Sequence, residues 1–168
     1  MKKAFTLIEL IFVIVIIGVL ASVAIPKFTN LTTHAKSSGV KSVVTSVQSS
    51  IDNIHGKWII NDSYGSNKWI AADGKDHKDD FNTTTGYPEH LDGNDGNNFS
   101  WVLKVPVPSC SDGKTNGCWK EDPQDTYSYY YNSNDVLKLE YNATTGTLEC
   151  KAGSGKYSDV SKCEKVVY

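Results

Sequence analysis

The segment from Phe5 to Ile25 constrains this chain more than any other, being apolar throughout except for one charge, Glu9. As a helix rising about 1.5 Å per residue it reaches about 30 Å, the thickness of a bilayer's hydrocarbon core. Met1, Lys2 and Lys3 precede it, a short basic head of the kind held on the cytoplasmic side by the positive-inside bias. A carboxylate in such a run costs about 2.5–3.5 kcal/mol at mid-membrane and less near the interface. Glu9 is therefore expected to have a partner, most economically one supplied from outside this unprocessed chain.

Lys2-Lys3-Ala4, then Phe5-Thr6-Leu7-Ile8-Glu9-Leu10, then Gly18 and Pro26, resemble the leader and N-terminal helix of type IV pilins and of the pseudopilins of type II secretion. The resemblance is specific through Pro26 and the residues just beyond it, and architectural thereafter. It implies a membrane peptidase that cuts between Ala4 and Phe5 and methylates the new amine, leaving a cation at Phe5 and an anion at Glu9. The family usually has Gly where this chain has Ala4, a departure small enough to be accepted, with slower processing expected. Two other readings compete. A secretory signal would use Ser22-Val23-Ala24 as its small-residue cleavage site, and a plain anchor would not be cut. Both leave Glu9 unexplained, and the run exceeds the roughly 7–15 residues of a signal's apolar region.

Beyond Pro26, Phe28, Leu31, Ala35, Val40, Val43, Val44, Val47, Ile51 and Ile54 recur mostly at steps of three and four, one face of a helix. Lys36, Lys41, Ser42, Gln48, Ser49 and Asp52 fall mostly elsewhere, and Gly56 reads as a C-terminal cap. The pattern predicts a nearly continuous helix from Phe5 to His55, about 75 Å long. Gly18 and Pro26 lie inside it as kinks. Val40, Val43, Val47, Ile51 and Ile54 are expected in a core. His34 and His55 lack a metal-type neighbour at four-residue spacing and read as surface or partly buried.

From Lys57 to Pro108 the pattern is irregular, and Trp58, Trp69 and Trp101 read as core packing ahead of carbohydrate platforms. Phe99 to Val107 is apolar enough for a short strand or a helical turn. Further on, Tyr127, Tyr129 and Tyr131, then Leu137, Leu139 and Tyr141, then Leu148 and Cys150 mark alternating strands, with turns at Asn132 to Asp135 and Asn142 to Gly146. This is an antiparallel meander whose apolar face the long helix should cover. The fold class is α+β and pilin-like: a leader over 1–4, a membrane-spanning or filament-core helix over 5–25, an amphipathic helix over 26–56, and a globular head over 57–168.

Four cysteines, Cys110, Cys118, Cys150 and Cys163, show no Cys-x-x-Cys spacing, which argues against zinc or redox chemistry. They allow three pairings. The sequential one, Cys110–Cys118 with Cys150–Cys163, is preferred because each bond closes a short local loop. The second of these resembles the disulfide-bounded C-terminal loop of pilins, and most major pseudopilins lack such cysteines. Net charge is −2, with all 17 basic residues lysine and none clustered, so nucleic acid is not expected to bind directly.

Acidic clusters stand at Asp73 to Asp80 and at Asp92 to Asn98. In the second, Asp92, Asn94 and Asp95 among flexible glycines are candidate calcium ligands. The glutamate that closes an EF-hand is missing, so a solvated turn with no cofactor is the reading carried forward. Asp80-Phe81-Asn82-Thr83-Thr84 and Glu140-Tyr141-Asn142-Ala143-Thr144 resemble the acidic-x-Asn-x-Ser/Thr acceptor of some bacterial oligosaccharyltransferases. Asn82 and Asn142 are thereby candidate glycosylation sites, though both stretches also read as ordinary loop. No nucleophile elbow, phosphate loop or zinc helix is present.

The resemblance implies a structural subunit, not an enzyme. Its precursor would wait in the bacterial inner membrane with its head in the periplasm. After prepilin peptidase acts, an inner-membrane assembly platform would feed it into a homopolymer. Phe5, Thr6 and Glu9 would make the assembly contact, the Glu9 carboxylate meeting a neighbouring copy's Phe5 amine and Thr6 helping to satisfy its remaining oxygens. A pseudopilin of type II secretion is the alternative within the family. A membrane-anchored periplasmic binding protein with a Trp- and Tyr-rich head, or a secreted domain with an unusual signal, are alternatives outside it.

Overall fold

The computed structural model describes residues 5–60, 70–77, 79–93, 98–111, 115–123 and 125–168. The chain divides into two units, Met1–Lys36 and Ser37–Tyr168. Helix α1 (Leu7–Ile60) contributes to both.

In the first unit the apolar side chains from Leu7 to Ile25 are exposed around the whole circumference, among them Leu7, Phe12, Ile17, Leu20 and Ile25. This part of α1 is long and apolar enough to cross a membrane by length and composition. A helix apolar on every side is stable only in apolar surroundings, lipid or other protein. Gly18 and Pro26 both lie inside it. Its hydroxyls turn back on its own carbonyls, Ser22 Oγ donating to Val19 O at 2.7 Å and Thr29 Oγ1 to Pro26 O at 2.9 Å. These two hydroxyls are thus satisfied without water.

In the second unit α1 turns one stripe inward. Val40, Val44, Val47 and Ile51 follow at steps of four, three and four and are no more than 4% exposed. Val43 and Ile54 pack at the margin of the same core. Burying each such side chain is worth about 1.5–3 kcal/mol, which offsets the mediocre helix propensity of Val and Thr here. The helix does not stop at Gly56, the expected cap, but continues to Ile60. Tertiary packing explains the correction: the added turn lays the Trp58 ring against Gly86, where any Cβ would collide. One residue ahead of Gly56, His55 stacks on Tyr87 with centroids 3.9 Å apart. Those contacts outweigh the roughly 1 kcal/mol a mid-helix glycine costs.

Strands β1 (Cys118–Asp122), β2 (Thr126–Tyr130), β3 (Val136–Asn142) and β4 (Thr147–Ser154) pair antiparallel in chain order. Tyr127 faces Leu139, Leu139 faces Cys150 and Tyr141 faces Leu148, so the alternating apolar positions set the register. β1 was not among the expected strands, since Cys-Trp-Lys-Glu-Asp alternates poorly. It is held by its neighbours: Trp119 is buried opposite Tyr129, and Cys118 is bonded to Cys110. After β4 a 3-10 turn (Gly155–Tyr157) leads into α2 (Val160–Val167), also unexpected. Its signals were an Asp159 cap, accepting the Ser161 N–H at 3.0 Å, and inward Cys163 and Val167 four apart.

Phe99 to Val107 forms turns, with Phe99 itself in the left-handed region at φ 62°. Its buried ring stacks on Tyr127 at 4.2 Å and meets Trp119 edge-on at 5.3 Å. The series continues through Trp119–Tyr129, Tyr129–Tyr131 and Tyr131–Tyr157 at 5.1, 4.9 and 4.7 Å. These aromatics are the middle of the core. Trp58 and Trp101 pack at its edge, and Trp69 lies outside the described residues.

Polar ties join α1 to the sheet. Gln48 Nε2 donates to Gly146 O at 2.8 Å while its Oε1 accepts the Leu148 N–H at 3.4 Å, and Tyr131 OH donates to Ser37 Oγ at 3.2 Å. At the other end of β3, Asp135 accepts the Lys156 N–H at 2.8 Å and the Asn132 side-chain amide at 2.9 Å. The first of these bonds, then the second, holds its carboxyl below the usual carboxylate range. A depressed folded value contributes stability above the unfolded value of about 3.9, and that stability is lost as pH falls through the folded one. Thermal melts of wild type below about pH 4 should therefore drop more steeply than those of Asp135→Ala, and parallel curves would remove Asp135 from the acid response.

Candidate functional site

The opening of α1 is a reciprocal pair. Thr6-Leu7-Ile8-Glu9 has the Thr-x-x-Glu spacing of a capping box, which satisfies orphan N–H donors at a helix start. Thr6 Oγ1 accepts the Glu9 N–H at 3.3 Å. Glu9 Oε2 in return accepts the Thr6 N–H at 3.0 Å and the Thr6 hydroxyl at 2.9 Å. Leu10 N–H closes the first turn on the Thr6 carbonyl at 3.3 Å. Glu9 therefore has in Thr6 a partner within its own chain, the residue expected to help satisfy its oxygens. The signal for the reciprocal box was four residues of plain sequence, overshadowed by the apolar run that contains it.

The box engages only one carboxylate oxygen. Among the described residues Oε1 of Glu9 has no hydrogen-bond partner and the carboxylate has no cation. Phe5 stands ahead of the helix, 83% exposed, and Ala4 lies outside the described residues. The arrangement is a fixed anion, half satisfied, set in an apolar surface. In dry surroundings it would attract a compact cation strongly, because an uncompensated buried charge is heavily penalised.

The remaining candidates scatter over the head. Cys110 is bonded to Cys118 and Cys150 to Cys163, with Cα separations of 5.0 and 5.9 Å. One bond fastens the 110 segment to β1, the other fastens α2 to β4. Asp92 is buried and accepts the Phe99 N–H at 3.3 Å, a structural use of the carboxylate. Asn94 and Asp95 lie outside the described residues, and among those described no three His, Cys, Asp or Glu side chains gather as a metal-holding group.

The Asp73 to Asp80 cluster is organised by His77. His77 is buried against Trp101, with Nε2 3.2 Å from Asp73 and Nδ1 2.8 Å from Asp80. Its spacing from the two acids, four back and three ahead, was the available signal. Asn82 and Asn142 each head a tight turn whose N–H groups their side chains accept.

An apolar helix opened by Thr6 and Glu9 and followed by a four-stranded antiparallel head is a pilin-like α+β architecture. Residues 1–25 match the prokaryotic N-terminal methylation motif. The similarity to named proteins is likewise to type IV pilins, over part of the chain. It is similar to the type IV narrow pilus major component PilA5 of Thermus thermophilus, 49% identical over 47 residues. It is also similar to the type IV major pilin protein PilE1 of Neisseria gonorrhoeae, 43% identical over 65 residues. Those stretches cover 28% and 34% of this chain, and only 40% and 37% of the relatives. No solved structure matches the chain.

Proposed function

We propose that the chain is the precursor of a structural subunit of a type IV pilus or pilus-like filament. It is held in the inner membrane by the first part of α1 with its head in the periplasm, and prepilin peptidase cuts it between Ala4 and Phe5. The Phe5 amine, once methylated, remains a cation, and an assembly platform brings it to the Glu9 carboxylate of a neighbouring copy. The contact is heterologous and does not close, so it propagates as a polymer. The observation that carries this reading is the half-satisfied Glu9: Thr6 takes Oε2 and leaves Oε1 and the charge available on an apolar surface. Two disulfides in the head favour a pilus over a secretion pseudopilus, by likeness to the family.

Mass spectrometry of the N-terminus tests it. Mature protein should begin with N-methylated Phe5. A start at Met1 would mean an uncut anchor, and a start at Ile25 a secretory signal; either leaves Glu9 without its cation and ends the polymer reading.

A further inference from the structure

The chain carries one element twice. Asp80-Phe81-Asn82-Thr83-Thr84-Thr85-Gly86 and Glu140-Tyr141-Asn142-Ala143-Thr144-Thr145-Gly146 share the order acid, aromatic, Asn, any residue, Thr, Thr, Gly. Both fold the same way. Asn82 Oδ1 accepts the N–H groups of Thr84 and Thr85, each at 3.1 Å, and Asn142 Oδ1 accepts those of Thr144 and Thr145 at 2.9 and 3.4 Å. Gly86 and Gly146, at φ 74° and 69°, close on the Asn carbonyls at 2.7 and 2.8 Å. The two turns touch: Thr85 Oγ1 donates to Ala143 O at 3.2 Å, and the Tyr87 ring lies against Gly146.

This geometry explains most of the repeated residues. Asn supplies the acceptor and Gly the positive φ. The second threonine of each pair is also used, Thr85 on Ala143 and Thr145 with Thr147 at 2.7 Å. The first threonine is not. Thr84 and Thr144 are exposed and give the turn only their backbone N–H. Among the described residues their hydroxyls have no partner, nor do the amide nitrogens of Asn82 and Asn142. The acids two residues upstream, Asp80 and Glu140, keep 39% and 43% of their side-chain surface open. What each copy leaves available is an amide nitrogen and a hydroxyl two residues on, beside a partly open carboxylate two residues back that Asp80 shares with His77 at 2.8 Å and Glu140 with Lys151 at 2.7 Å.

We propose that Asn82 and Asn142 are the acceptors of N-linked oligosaccharides, carried side by side on the head by an oligosaccharyltransferase that reads acid-x-Asn-x-Thr. The donor class is a polyprenyl-diphosphate-linked oligosaccharide. Nδ2 attacks the anomeric carbon, the C–N bond forms as the C–O bond to diphosphate breaks, Nδ2 gives up one proton, and polyprenyl diphosphate leaves with the electron pair. The two N–H bonds to Oδ1 draw density toward oxygen and make the Nδ2 proton easier to remove. Of the three other Asn-x-Ser/Thr stretches, at Asn30, Asn61 and Asn98, none has an acid two residues back; Asn61 lies outside the described residues, and the other two serve as controls. Asn30 has Phe28 two residues back, and its Thr32 hydroxyl donates to the Phe28 and Thr29 carbonyls at 3.2 and 2.8 Å. Asn98 is buried, with Nδ2 on Ser109 Oγ at 2.9 Å and Trp119 O at 3.3 Å.

The test is intact-mass and glycopeptide analysis of full-length and mature protein taken from the organism that encodes it. The expected result is two oligosaccharides, on Asn82 and Asn142, with Asn30 and Asn98 bare. Thr84→Ala and Thr144→Ala, which keep both turns, should each remove one, and Thr85→Ala should remove neither. A mass equal to the polypeptide alone, or saccharide that persists in the Thr84→Ala/Thr144→Ala double variant, overturns the proposal. The inference needs the head on the side of the membrane where the glycan is transferred, as the proposed function has it. The mass is read on membrane-held precursor as readily as on filaments, so failure to polymerise and failure to be glycosylated are distinguishable.

Discussion

Glu9→Gln is expected to leave a folded, processed subunit that does not enter filaments. Glutamine serves at the third helical position of a capping box as glutamate does, so its carboxamide oxygen can still accept the Thr6 N–H that Oε2 now holds at 3.0 Å. The start of α1 is preserved while the charge is gone. A neighbouring Phe5 amine then enters an apolar interface without its anion. Removing one member of a buried pair costs about 3–5 kcal/mol, more than a hundredfold in affinity at each contact. The complementary variant is Thr6→Val, which loses the cap, worth about 0.5–2 kcal/mol, and keeps the carboxylate. Electron microscopy of sheared surface material should show Thr6→Val filaments in reduced number and Glu9→Gln filaments missing. The reverse order would mean that the pair only starts a helix, and the register role assigned to Glu9 would be abandoned.

Phe99→Ala is the second large effect, and it falls on the head alone. The ring is fully buried between Tyr127 and Trp119 and so sits at the centre of the aromatic series. Truncating a buried phenylalanine costs about 3–5 kcal/mol from lost transfer energy and the cavity left behind. Alanine offers no relief of the φ of 62°, since its Cβ meets the same backbone. Denaturant unfolding of the detergent-solubilised chain, followed by near-ultraviolet circular dichroism, should show the unfolding free energy fall by that amount and the midpoint fall with it. A loss under about 1 kcal/mol would mean the neighbouring rings collapse into the space and the series is not the keystone of the core.

Much of the architecture is legible in the sequence. The inward stripe of α1 was written in three- and four-residue steps, and three of the four strands in alternation, because those elements bury one regular face. What escaped was decided by contacts rather than by pattern. β1 has too few apolar residues to alternate and is a strand because Trp119 and Cys118 have partners waiting. Gly56 looked like a stop and was overridden by Trp58 packing on Gly86, where the missing side chain lets a ring approach. α2 was short enough to pass for a tail, although Asp159 announced it. At the start of α1, Thr6 was legible as a partner for the Glu9 oxygens, while the reciprocal form of the pair, a capping box with Thr6 Oγ1 on the Glu9 N–H, was masked by the apolar run around it.

Gln48 has a mechanical consequence. In a filament joined through its N-terminal helices, any pull along the fibre enters each head by way of α1. The amide of Gln48 grips Gly146 and Leu148 at once, on either side of Thr147. A load shared between two bonds in parallel must rupture both together, whereas bonds in series would yield one at a time. The resistance of such a fibre to tugging would then reside partly in a single carboxamide of the head.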